Sequence, residues 1–178
     1  MTDIIMAGFG GQGILTAGKI MIDVAAKQGK EICWTSSYGA SMRGGTASCT
    51  IVIDDEEIGS PYPAELDILM AMNEPSYLKF VDQVKDGGTI IANTSLMGEM
   101  DWPKNVNVYT IDATDLANDS GNGRAANLVM LGALMENTDI MDADEFGKGL
   151  DAYFDHKGRN NPGNAACYKL GREKAEKK

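Results

Sequence analysis

Gly8-Phe9-Gly10-Gly11-Gln12-Gly13 is the stretch whose reading decides the fold. It satisfies G-x-G-x-x-G, and its flanks give it a context. Asp3 to Ala7 is a short apolar run that reads as a buried strand. From Gln12 to Lys27 the apolar residues Ile14, Leu15, Ile20, Met21, Val24 and Ala25 recur at helical spacing, and Gly29 closes that helix. A glycine turn from strand to helix has a physical use. Gly8 permits the tight turn, Gly10 lets a ligand approach the backbone, and Gly13 lets the helix pack close to the strand. The helix start then offers free N–H groups and a positive dipole end to phosphate. The alternative is a packing turn with no ligand. A dinucleotide site also wants an acid at the end of the second strand. Cys33, Trp34, Thr35, Ser36 and Ser37 stand there instead, so the loop reads as a phosphate cradle for something other than NAD.

Outward from this loop, strand and helix alternate. Strands are expected at Glu31–Thr35, Thr46–Ile53, Leu66–Met72, Thr89–Ala92 and Val106–Ile111. Helices are expected from Asn73 to about Val84, Asp112–Ala117, Ala125–Glu136, Asp142–His156 and Ala165–Lys178. Asn73 is placed as an N-cap, with Pro75 in the first turn. No repeat or linker divides the chain, so residues 1–178 read as one domain. The alternation predicts an α/β, Rossmann-like fold with a mostly parallel sheet flanked by helices.

A second loop, Ser37 to Cys49, is rich in glycine and hydroxyls. Arg43 is the sole basic residue between Lys30 and Lys79, next to Gly44 and Gly45, with Ser41, Thr46 and Ser48 nearby. Ligands of open α/β sheets lie beyond the carboxyl ends of the strands. This loop should therefore lie beside Gly8–Gly13. A guanidinium there suits an anionic ligand, or else pairs with a nearby carboxylate.

Composition excludes several function classes. The 178 residues carry a formal charge of −10, a poor match to nucleic acid. No apolar run approaches the roughly 20 residues of a membrane span. Cys33, Cys49 and Cys167 are few and widely spaced, which supplies neither a disulfide framework nor an iron–sulfur or zinc cradle. The N-terminal Met-Thr-Asp-Ile-Ile lacks the features of a secretory signal, so a reducing, cytoplasmic location is expected. Residues 44 to 123 hold fourteen acids against Lys79, Lys85 and Lys104. That excess is a solvated face or a docking face for a basic partner. Asp54 to Glu57 are a polar turn or a metal site. His156 reads as a surface residue at a helix end, so no histidine triad is expected. Asn122, Arg124 and Asn127 cap the next helix or contact a partner. No residue set looks catalytic by itself.

Taken together, Gly8–Gly13, then Tyr38-Gly39 with Met42-Arg43-Gly44-Gly45-Thr46-Ala47, then Met72-Asn73-Glu74-Pro75-Ser76, then Asn122 to Ala133 resemble the gamma subunit of 2-oxoacid:ferredoxin oxidoreductases. This is the pyruvate/ketoisovalerate oxidoreductase gamma family, and the match spans nearly the whole chain. Within it the chain looks most similar to the 2-oxoglutarate type, with the branched-chain and indolepyruvate types close. It departs at Gly123, where proline is expected, and at Ala40-Ser41, where Pro-Glu is commoner.

The resemblance implies a multisubunit enzyme that converts a 2-oxo acid, coenzyme A and oxidised ferredoxin to acyl-CoA, CO2 and reduced ferredoxin. It implies thiamine diphosphate and iron–sulfur clusters on partner subunits, namely alpha and beta, with delta a further candidate. It implies that Gly8, Gly10, Gly11, Gln12 and Gly13 cradle the phosphates of coenzyme A, helped by Ser41, Arg43, Gly44, Gly45 and Thr46. The rival readings are a stand-alone nucleotide-binding oxidoreductase and a purely structural subunit.

Overall fold

A computed structural model describes residues 1–38, 46–159 and 161–178. The strands are β1 (Thr2–Phe9), β2 (Glu31–Tyr38), β3 (Thr46–Asp54), β4 (Leu66–Ala71), β5 (Val84–Asn93), β6 (Asn107–Ile111) and β7 (Glu176–Lys177). The helices are α1 (Ile14–Lys27), α2 (Glu74–Phe80), α3 (Ala113–Asp119), α4 (Ala126–Glu136), α5 (Ala143–His156) and α6 (Pro162–Lys174). All seven strands join one sheet in the order β2-β3-β1-β4-β5-β6-β7.

The centre of the sheet is parallel, as the alternation predicts: β1 pairs with β4, β4 with β5, and β5 with β6. The flank is different. β3 runs antiparallel to both β1 and β2, and so sits between them. The cause is local. β2 and β3 are joined by only seven residues, too few for the helical crossover that a parallel pair needs, so β3 turns back as a hairpin arm. Two reversals leave β2 pointing the same way as β1. The carboxyl ends of β1, β2, β4, β5 and β6 therefore share one edge of the sheet.

Period-two alternation assigns the two faces. Ile4 and Met6 of β1, Cys49 and Ile51 of β3, and Met70 of β4 face a large core with α1, α3, α4, α5 and α6. Ile5 and Ala7, with Leu69, Ile90 and Val108, face a smaller core closed by Tyr77 and Phe80 of α2 and by Met97, Met100 and Trp102. Every residue of α4 from Ala126 to Met135 is buried. A helix apolar all round belongs inside a helical layer, and α4 lies there against α6.

The structure departs from the sequence reading at several boundaries. β2 continues to Tyr38, through serines expected in a loop, because it pairs residue for residue with β3 up to Tyr38↔Ala47. The helix after Asn73 is α-helical to Phe80 and continues as a 3-10 turn over Val81–Gln83, close to the expected end, but β5 begins at Val84 rather than Thr89. Its first residues belong to an irregular pairing: Leu66 partners Val84, but Ile68 partners Thr89. Gly87, at φ 78, supplies the left-handed residue of that bulge. The last helix starts at Pro162, three residues before Ala165, because Asn161 caps it with an Oδ1 that accepts the Gly163 N–H at 2.9 Å. It ends at Lys174 instead of running to Lys178. Ala175 is extended, and Glu176 and Lys177 pair with Thr110 and Tyr109 at the free edge of β6.

Candidate ligand site at the carboxyl edge of the sheet

The Gly8–Gly13 loop leaves β1 at the shared carboxyl edge and enters α1. Two left-handed glycines make the turn: Gly11 at φ 95 and Gly13 at φ 75. The Gln12 N–H donates to the Phe9 carbonyl at 3.2 Å, and the Ala17 N–H donates to Gly13 O at 2.8 Å. Gly13 is the N-cap of α1, so no side chain caps this helix, and its first turn holds no acid. The first-turn N–H groups have no intrahelical acceptor. Among the described residues nothing caps this end of α1, which suits an anion.

The four glycines divide by environment. Gly10 and Gly11 are exposed, and a Cβ on Gly11 would meet nothing within 4 Å among the described residues. Gly8 and Gly13 face inward. A Cβ on Gly8 would lie 2.8 Å from Gln12 Oε1 and 2.9 Å from both Ile14 and Met72. A Cβ on Gly13 would lie 2.6 Å from Asn127 Nδ2.

Amide side chains fill this inner space. Gln12 Oε1 accepts the Phe9 N–H at 2.6 Å and Asn73 Nδ2–H at 2.8 Å. Asn73 follows β4, is 1% exposed, and caps α2 by accepting the Ser76 N–H at 3.0 Å. Asn93 ends β5 and is wholly buried. Its Nδ2 donates to the Met72 carbonyl at 3.1 Å and to Thr114 Oγ1 at 2.9 Å, while its Oδ1 accepts the Ala113 N–H at 3.0 Å. Asn127, on α4, donates to Gly13 O at 3.1 Å. The ends of three parallel strands and the starts of α1 to α4 are thus tied by four amide side chains.

Gln12, expected among the phosphate contacts, turns its side-chain oxygen inward onto Phe9 and Asn73. The distant half of that brace has no local signal, because Asn73 comes from a segment 61 positions away. Thr46 opens β3 as the Cα partner of Phe9, beside the loop as expected. Ser41, Arg43, Gly44 and Gly45, with Gly39 and Met42, lie outside the described residues. Their flanks, residues 38 and 46, are at the same carboxyl edge as Gly8–Gly13. Asn122 and Asn127 do not act together: Asn122 Nδ2 donates to Asn164 Oδ1 at 3.1 Å, on α6. Arg124 is exposed.

The other candidates lie apart from this edge or under it. Cys49 packs beneath α1, and burial pushes its thiol up from 9.0 to about 11, which makes it inert as a nucleophile near neutral pH. Cys167 is buried against Ser120 Oγ at 3.3 Å, and Cys33 is half-buried on β2. His156 is the exposed last residue of α5. In the acidic turn, Asp54 lies 3.4 Å from the amino terminus and Asp55 lies 2.6 Å from Lys30. The Asp55 N–H is the main reason the Asp54 carboxyl sits below its ordinary range. Among the described residues no group of three or more His, Cys, Asp or Glu side chains could hold a metal ion. No helix among them is long and apolar enough to cross a membrane.

The family model described as pyruvate ferredoxin/flavodoxin oxidoreductase matches residues 3–174. The chain is similar to the 2-oxoglutarate synthase subunit KorC of Methanocaldococcus jannaschii, 36% identical over 151 residues, covering 83% of this chain and 81% of that one. It is similar to the ketoisovalerate oxidoreductase subunit VorA of Methanothermobacter marburgensis, 38% identical over 130 residues and 73% of this chain. It spans only 27% of that VorA. Among solved structures, the gamma subunit of a keto/oxoacid ferredoxin oxidoreductase from Geobacter sulfurreducens PCA superposes with a TM-score of 0.79. The two are 26% identical, over 97% of each chain. A 2-oxoglutarate:ferredoxin oxidoreductase from Magnetococcus marinus, solved with 2-oxoglutarate, coenzyme A and succinyl-CoA, superposes with a TM-score of 0.86. That pair is also 26% identical, over 97% of this chain and 30% of that one.

Proposed function

The chain belongs to the pyruvate ferredoxin/flavodoxin oxidoreductase family, and we propose that it is the gamma subunit of a 2-oxoacid:ferredoxin oxidoreductase acting on 2-oxoglutarate in the cytoplasm. The assembled enzyme converts the 2-oxo acid, coenzyme A and oxidised ferredoxin to acyl-CoA, CO2 and reduced ferredoxin. Thiamine diphosphate and iron–sulfur clusters, on alpha, beta and delta partners, supply the carbanion and electron-transfer chemistry. This chain contributes assembly and part of the coenzyme A site. It supplies no catalytic base of its own.

The observation that carries the reading is the uncapped start of α1 behind an exposed Gly10-Gly11 turn. Free N–H groups, a positive helix end and no first-turn acid suit the phosphates of coenzyme A. Gly8 and Gly13 hold that turn from within, and Gln12 braces it. Arg43, Ser41, Gly44 and Gly45, in the segment of sequence that joins β2 to β3, and Thr46 at the start of β3 would add a guanidinium and hydroxyls. The similarity to a relative solved with coenzyme A supports the ligand. Similarity to KorC supports 2-oxoglutarate. A branched-chain 2-oxo acid is the second reading, and the identity to VorA favours it.

The test is a native pull-down with this chain tagged, followed by dye reduction dependent on a 2-oxo acid and coenzyme A. Co-elution of brown, thiamine-containing partners with activity supports the subunit reading, and the preferred 2-oxo acid names the type. Elution of the chain alone, without activity, overturns it. In the active complex, Arg43→Ala should raise the KM for coenzyme A; unchanged coenzyme A kinetics removes Arg43 from the site.

A further inference from the structure

Two buried amides reach the glycine loop from opposite sides. Asn73 holds its Phe9–Gln12 end through Gln12 Oε1, and Asn127 holds its Gly13 end through the Gly13 carbonyl. Both side chains are nearly inaccessible, at 1% and 4% exposure. Neither can reach a ligand beyond the loop. Each occupies space that a Cβ on a loop glycine would disturb: Asn127 directly against Gly13, and Asn73 through the Gln12 oxygen against Gly8. The glycines at the two ends of the motif are thus matched to the amides behind them, while Gly10 and Gly11 are exposed.

The directions of the exposed N–H groups depend on the dihedrals of this short turn. Each brace fixes a different peptide plane. Gln12 Oε1 takes the Phe9 N–H and so folds its own side chain back across the turn. The Gly13 carbonyl is shared between Asn127 Nδ2 and the Ala17 N–H, which fixes where the last peptide before α1 points. A binding site loses affinity when such peptides wander, because the ligand must then bear the cost of ordering them. Asn93 extends the brace by holding the Met72 carbonyl, one residue before Asn73, and by anchoring α3.

We infer that Asn73 and Asn127 are positioning residues that hold the Gly8–Gly13 loop in its anion-receiving shape, acting on the ligand only through the loop. The inference rests on the reading of this loop as the coenzyme A phosphate site. Asn73 also fastens α2 to that loop, so its two duties must be separated. Asn73→Asp does so: a carboxylate still accepts the Ser76 N–H and caps α2, but it has no N–H for Gln12 Oε1 and repels it.

Two readouts are needed. The first is hydrogen exchange of the Phe9 to Ile14 amides in the full-length chain, which needs no ligand. The second is steady-state kinetics of the complex with coenzyme A varied. Asn73→Asp should speed exchange in the loop while leaving α4 protected. It should raise the KM for coenzyme A about fivefold, the worth of one hydrogen bond, with a smaller change in kcat and in the KM for the 2-oxo acid. Asn127→Ala should do the same from the other end, and serves if the first variant fails to fold. Unchanged loop exchange in a folded variant overturns the positioning role. Faster loop exchange with an unchanged KM for coenzyme A supports the brace and overturns the coenzyme A reading of the loop. A uniform fall in kcat with no KM split marks Asn73 and Asn127 as merely structural.

Discussion

Asn127 Nδ2 stands 2.6 Å from the point where Gly13 would carry a Cβ, and from there it donates to the Gly13 carbonyl at 3.1 Å. The last glycine of the motif is therefore required twice over. It adopts φ 75, and its missing side chain is the seat of an amide 114 positions away in sequence.

Gly13→Ala should consequently lose stability through two separable causes. The left-handed backbone costs an alanine about 1 kcal/mol. Pushing Asn127 aside loses a buried hydrogen bond, worth about another 1 to 2 kcal/mol. Urea unfolding of Gly13→Ala, Asn127→Ala and the double variant tests this. The glycine substitution should cost less in the Asn127→Ala background, since only the backbone strain remains. Strict additivity would mean that the two residues do not interact.

Asn93 carries a heavier load than any other amide in the sheet. Wholly buried, it satisfies the Met72 carbonyl, the Thr114 hydroxyl and the N–H groups at the start of α3. Asn93→Ala strands those partners without water, at about 2 to 4 kcal/mol in all. Asn93→Asp keeps the acceptors for α3 but faces the Met72 carbonyl with a second oxygen. Chemical denaturation should rank wild type above both variants, and loss of α3 should appear as faster exchange at Ala113 and Thr114.

The crossing of α4 and α6 depends on backbone contact. A Cβ on Gly132 would fall 2.0 Å from the Tyr168 carbonyl oxygen, and one on Gly171 would fall 1.9 Å from the Val129 carbonyl oxygen. Neither obstacle is a flexible side-chain tip, so the helices must separate. Gly171→Ala or Gly132→Ala should cost about 3 kcal/mol despite the better helix propensity of alanine. A thermal scan showing either variant as stable as the parent would refute the close crossing.

Stability should fall on the alkaline side, and Cys49 should contribute to the fall. Burial raises its folded-state thiol to about 11 from 9.0. An unfolded chain thus loses this proton first, so the contribution is complete below pH 9 and is lost as pH rises toward 11. The unfolding free energy of wild type should decline more steeply over that window than that of Cys49→Ala. Parallel pH profiles would remove Cys49 from the cause. At pH 8 an alkylating reagent should modify the half-buried Cys33 well before Cys49.

Local signals in the sequence carried much of the architecture. The apolar run Ile4–Ala7, the glycine turn and the helical spacing of Ile14 to Ala25 each describe a few consecutive residues, and the structure has those elements. Asn73 with Pro75 marked a helix start because capping is a short-range bond. Asn161 and Pro162 form the same pairing at the start of α6, three residues before the Ala165 at which the sequence reading places it. The Ser- and Gly-rich composition after Thr35 reads as a loop, and only pairing with β3 keeps Ser36 and Ser37 extended. In the candidate site, the turn and its glycines were legible, and so was the nearness of Thr46. The braces were not.

The sequence by itself determined the strand–helix alternation, the anion-suited turn and the family, since each is written in short patterns of residue type. Tertiary structure alone decided that β3 lies between β1 and β2, that Gln12 faces inward, that Asn73 and Asn127 hold the turn, and that Gly132 and Gly171 are contact points. The physical reason is range. Dihedral preference and periodicity act over a few residues, whereas a buried amide chooses its partner by where folding brings an unpaired carbonyl or N–H. For Gly13 that partner comes from α4, which no pattern within the loop specifies.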